Sequence, residues 1–161
     1  MQELLKKFLP SIVYGGSDGA VTTFAVMAGA VGAGFDTKVI ITLGLANLCS
    51  DGFSMASADY LAEDSKAKEN KLLALKDAII TFISFVGIGF IPLIPILFVF
   101  HAKKFLLSII FTLITFACIG YLRAYILKRN RFELMLQSIM IGSICATLAY
   151  CVGEYISKLI A

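Results

Sequence analysis

The chain has 161 residues, of which 59% are hydrophobic and only 16% charged. Such a composition excludes a disordered chain, and it excludes an ordinary soluble domain, in which about 25% of residues are charged and small size leaves much of the surface in water. A net charge of +3, with no basic and aromatic-rich stripe, leaves no footprint for nucleic acid. Five apolar stretches follow one another, near residues 12–34, 39–62, 78–100, 105–127 and 134–157. Each approaches or exceeds the roughly 20 residues that cross a bilayer as a helix, and none alternates in polarity as barrel strands do. The predicted fold is an all-α, multi-pass integral membrane protein, with five transmembrane helices in a single domain over residues 1–161.

The first stretch carries Gly15-Gly16-Ser17-Asp18-Gly19. Its glycines interrupt what would be the apolar core of a signal peptide, so it reads as a retained helix. Close packing through Gly15 and Gly19 accounts for the glycines but not for the carboxylate between them. In the second stretch Asn47, Asp51, Ser54, Met55 and Ala58 fall at spacings of three and four, hence on one helical face. That stripe reads either as a polar seam between helices or as a site. Residues 63–77 form the one longer polar connection, and 101–104 and 128–133 are short turns. The third stretch carries Gly87, Gly89, Pro92 and Pro95, which predict a bend or a hinge.

Placing the N-terminus in the cytosol puts ten of the 14 Lys and Arg on the inner side, which predicts N-in and C-out. Arg123 and Glu154 lie near helix ends, where they can snorkel, and Asp59 lies near the wet end of the second stretch. Asp18 and Asp51 are deeper, and a carboxylate near the bilayer centre costs about 2.5–3.5 kcal/mol. Together with the stripe they offer hard oxygen ligands and one thioether, a mixture that suits iron(II) or a similar divalent ion. A carboxylate must lose its proton to bind metal, which links metal binding to proton release. Cys49, Cys118, Cys145 and Cys151 form no CxxC pair and read as small buried hydrophobes. The one histidine, His101, falls in a turn, and no nucleophile–base pair is evident, so no enzyme is expected.

At these residues the chain resembles the vacuolar iron transporter family. The run from Tyr14 through Gly15-Gly16-Ser17-Asp18-Gly19 to Val26 is similar to the family's first-helix motif. Gly44-Leu45-Ala46-Asn47, Ser50-Asp51-Gly52-Phe53-Ser54-Met55-Ala56 and Asp59-Tyr60-Leu61 resemble its second. Thr81-Phe82, the run 89–95 and the run 149–153 resemble later segments, so the likeness covers nearly the whole chain in order. The resemblance implies a five-helix homodimer in the lipid bilayer, with a pore between subunits. It would export iron(II) or manganese(II) from the cytosol in exchange for protons, with those ions as cargo and no cofactor. It implies Asp18 and Met55 as metal ligands, joined here by Asn47 and Asp51. Asn47 stands where some relatives have a glutamate, which puts the local proton coupling in question. Residues 63–77 are too short for the carboxylate-rich insert of many eukaryotic relatives. Glu63, Asp64 and Glu69 either attract cations at the cytosolic mouth or belong to a solvated linker. The compact form points to a prokaryotic plasma membrane. The other reading is a non-transporting assembly or regulatory protein that keeps the fold.

Overall fold

A computed structural model describes residues 2–65, 71–98 and 103–160, with side chains from Lys7 onward. The described residues form helices and turns only. They are α1 (Gln2–Gly32), α2 (Thr37–Asp64), α3 (Lys71–Gly89), a 3-10 turn (Ile91–Leu93), α4 (Ile94–Phe98), α5 (Lys104–Leu127) and α6 (Arg131–Ile160). The helices run beyond the apolar stretches at several ends. Hydropathy marks where the chain would leave lipid, whereas the backbone keeps its hydrogen bonds into the charged flanks. Thus α2 continues to Asp64 and α3 begins at Lys71, so both ends of the polar connection are helical.

Local chemistry sets the turns. Gly34 adopts φ 73° between α1 and α2, a left-handed conformation that costs glycine little. Lys128 takes the left-handed cap of α5, and Asn130 Oδ1 accepts the Phe132 backbone N–H at 3.0 Å to start α6. The third stretch is not one continuous helix. Pro92 and Pro95 lack backbone donors, so the chain tightens into the 3-10 turn before resuming as α4. Ser108 on α5 donates to the Pro92 carbonyl at 2.6 Å, and Pro92, Leu93, Pro95 and Ile96 are all buried. The break is therefore a packed bend, pinned from a neighbouring helix.

α1 is the centre of the bundle. It packs against α2, α3, α5 and α6, most extensively α3 and α6. Met27 and Ala30 from α1 meet Ile40, Leu48 and Met55 from α2, Phe85 from α3, Leu93 from the turn and Ile96 from α4 in one core cluster. The outer surface is apolar as well. Along α6, Leu136, Met140, Ile144, Leu148 and Val152 are all exposed, as are Leu106, Ile110, Leu113 and Ile114 on α5. Apolar faces on this scale mark a lipid environment.

Four helical segments are long and apolar enough to cross a membrane: Thr37–Asp64, Lys71–Phe98, Lys104–Leu127 and Arg131–Ile160. α1 is not among them, although its 31 residues have the length. Shielding by four other helices lets α1 keep polar groups that a lipid-facing helix could not. The cysteines depart from expectation: Cys49, Cys118 and Cys151 are exposed on the helix surfaces and only Cys145 is partly covered. With lipid as solvent, a small apolar thiol gains nothing by being inside.

Candidate functional site

The polar groups of the first two helices meet across the α1–α2 contact. Asp18 and Asp51 are both half-buried, and each lies within electrostatic reach of the other across this contact. One turn along, Asn47 Nδ2 donates to Thr22 Oγ1 at 3.3 Å, and Thr22 Oγ1 donates to the Asp18 backbone carbonyl at 2.9 Å. The two cross-helix pairs, Asp18 with Asp51 and Thr22 with Asn47, lie in one antiparallel register, four residues apart on each helix. Three of the expected site residues therefore come together, joined by Thr22.

The other residues of the stripe divide. Met55 is 9% exposed and belongs to the core cluster beside Leu48 and Phe85. Ser54 and Ala58 are exposed. Among the described residues, no three His, Cys, Asp or Glu side chains gather closely enough to hold a metal ion by themselves. One chain thus offers two carboxylates, an amide oxygen and a thioether packed nearby in the core.

A second polar feature lies at the end of the bundle where α1 begins. Lys7, Pro10, Ser11 and Tyr14 from α1, Asp59 and Glu63 from α2 and Asp77 from α3 line a cavity of about 430 Å³. Asp59 accepts a hydrogen bond from the fully buried Thr81 hydroxyl at 2.6 Å, and Ser11 lines the same cavity as Asp77. Of the three expected mouth residues, Glu63 lines this cavity, Asp64 is exposed outside it, and Glu69 lies outside the described residues. Asp59, expected only as a wet helix end, and Asp77, expected only as the end of the polar connection, join Glu63 here in place of Asp64 and Glu69. His101 also lies outside the described residues. Arg123 donates to the Ser138 hydroxyl at 3.4 Å and Glu154 pairs with Lys158 at 2.6 Å, so both charges near helix ends have partners.

An all-α, multi-pass membrane protein with paired carboxylates at the meeting of its first two helices is the class that the fold and site define. The profile of the VIT family matches residues 9–72 and 64–154. The chain belongs to the VIT family. A Eucalyptus grandis protein named Vacuolar iron transporter 1 is 24% identical over 213 aligned residues, covering 91% of this chain and 86% of the relative. An Arabidopsis thaliana protein of the same name is 22% identical over 211, covering 90% and 84%. A Toxoplasma gondii protein named Vacuolar iron transporter is 40% identical over 55 residues, 34% of this chain and 18% of that protein. Both plant alignments are longer than this 161-residue chain, so the plant proteins carry segments it lacks. The family match divides at residues 64–72, the connection between α2 and α3, as expected for a short form. These relatives are plant and protozoan proteins named as vacuolar, so the comparisons give no support to a prokaryotic plasma membrane.

Proposed function

We propose that the chain is a divalent transition-metal transporter that exports iron(II) or manganese(II) from the cytosol in exchange for protons. The observation that carries this reading is the α1–α2 register, in which the Thr22–Asn47 hydrogen bond sets Asp18 and Asp51, one turn along, at the same helix contact. Two carboxylates at one helix contact in lipid carry an electrostatic cost, and a divalent cation offsets it. Metal loading requires both to be deprotonated, and metal release leaves them to take up protons again. Proton and metal then alternate at the same oxygens. Asn47 supplies a neutral oxygen to this site and Met55 a thioether, the softer ligand that favours iron(II) over calcium or magnesium. Glu63, with Asp59 and Asp77, lies where cations would collect before reaching Asp18.

In this reading α1 is a fifth span, enclosed by the other four, with its N-terminus cytosolic as the Lys and Arg distribution favours. The working unit is a homodimer. The incomplete ligand set of one chain supports this, and so does the exposed side of α2. Ala46, Ser50 and Ser54 there set small and hydroxyl-bearing groups among the exposed Leu43, Phe53 and Leu61, as helix–helix seams in membranes do. A second copy against that face doubles the carboxylates. A lone cysteine placed at Ser50, in a chain with the four native cysteines removed, should yield a cross-linked dimer in membranes on oxidation. A monomer throughout would remove the two-subunit pore.

The transport reading is tested in proteoliposomes loaded at acidic pH and diluted into neutral, anaerobic buffer containing iron(II) or manganese(II). Metal uptake should follow the outward proton gradient and collapse on adding a protonophore. Uptake indifferent to the protonophore would remove proton exchange. Metal binding with no uptake of either ion would favour the non-transporting assembly or regulatory protein.

A further inference from the structure

We infer that Thr22 is a positioning residue, which fixes the amide of Asn47 so that its oxygen, not its nitrogen, is available to the cation. The inference rests on the transport reading and deepens it. A threonine hydroxyl has one proton, and in a helix that proton commonly goes to the carbonyl four residues back. Here it goes to the Asp18 carbonyl at 2.9 Å, which leaves the Thr22 oxygen able only to accept. Its cross-helix partner must then be a donor, and Asn47 meets it with Nδ2 at 3.3 Å. Among the described residues, nothing hydrogen-bonds Asn47 Oδ1.

The chemistry depends on that choice. An amide oxygen is a hard, neutral ligand, whereas an amide N–H repels a cation. An untethered asparagine rotates between the two. Within the bilayer an untied Nδ2 would be an unsatisfied donor, which favours the tie to Thr22. The same bond fixes register, since Thr22 and Asn47 sit one turn from Asp18 and Asp51 on their respective helices. The outcome is a site of two carboxylates and one neutral oxygen, which a divalent ion brings to net neutrality. A carboxylate at position 47 would leave the loaded site negative and would demand a donor from Thr22, taking its proton away from the Asp18 carbonyl.

The test uses the full chain in detergent and in proteoliposomes, with manganese(II) chloride as probe. Manganese(II) binding is read from the loss of the free-ion electron paramagnetic resonance signal, and uptake as KM and maximal rate. Thr22→Val keeps the shape and removes the hydroxyl. It should weaken manganese(II) binding and raise KM by about tenfold, within the roughly 10–100-fold range of residues that orient a metal ligand. Thr22→Ser should restore both. Asn47→Ala should weaken binding to a similar degree, and adding Thr22→Val to it should cost nothing further, because both act through one bond. Wild-type binding and KM in Thr22→Val, whatever its melting temperature, would overturn the inference and leave the transport reading intact. Full additivity in the double variant would also overturn it. Wild-type protein that binds manganese(II) but carries neither manganese(II) nor iron(II) would overturn transport, while the binding comparison still decides the role of Thr22. Wild-type protein that neither binds nor carries manganese(II) or iron(II) would overturn both.

Discussion

Asp18→Asn should reduce metal flux and manganese(II) binding by about 100-fold or more, the upper end of what even outer-shell changes cost a metal site. The substitution is nearly isosteric, so the packing of α1 against α2 is preserved and the loss is one of charge. Its effect on stability should have the opposite sign. A carboxylate in the bilayer interior costs about 2.5–3.5 kcal/mol, and Asp18 also faces the like charge of Asp51. Removing one charge relieves both penalties, so the melting temperature of the metal-free protein in detergent should stay level or rise. The two readouts together are diagnostic. A residue kept for structure loses stability when changed; one kept for cargo loses function and gains stability. Wild-type flux in Asp18→Asn would remove the carboxylate pair from the transport path.

Much of that pair was legible from the sequence, because a carboxylate inside an apolar run stands out against its surroundings. Thr22 was not. Threonines are common in membrane helices and usually satisfy their own backbone, and only the antiparallel register of α1 and α2 reveals that this one also reaches Asn47. Helical periodicity grouped Met55 with Asn47 and Asp51 correctly as neighbours on α2. It could not say on which side of the stripe the next helix packs, and Met55 lies at the edge turned into the core. Asp77 precedes the third apolar stretch, which begins at Ala78, but the helix extends back to Lys71 and carries Asp77 into a polar cavity with Asp59 and Glu63. The prolines correctly marked the interruption after Gly89. Only the tie from Ser108 distinguishes a bend packed in place from a hinge.

The largest expected effect on the fold comes from glycine. Gly19→Val should abolish folded protein, with a cost of at least about 3 kcal/mol, the upper range for overpacking against side chains that can move. Here the obstacle is backbone. A Cβ at Gly19 would overlap the Phe85 carbonyl oxygen and lie 2.9 Å from Phe85 Cα. Gly15 meets the Thr81 carbonyl in the same way one turn earlier, and a Cβ on Gly89 would lie 2.7 Å from the Gly19 carbonyl oxygen. The first and third helices therefore touch main chain to main chain along one row, and no rotamer change relieves a branched side chain there. Separating them would also pull α1 away from the position in which Asp18 meets Asp51. Gly87, two residues before the end of α3, is the control: it is exposed, and nothing lies within 4 Å of a Cβ built on it. Gly87→Ala should be neutral or stabilising by up to about 1 kcal/mol, the helix-propensity difference between the two residues. Expression and size-exclusion profiles in detergent, followed by thermal unfolding, measure both. Well-folded Gly19→Val would contradict the main-chain contact, and with it the register that assembles the site.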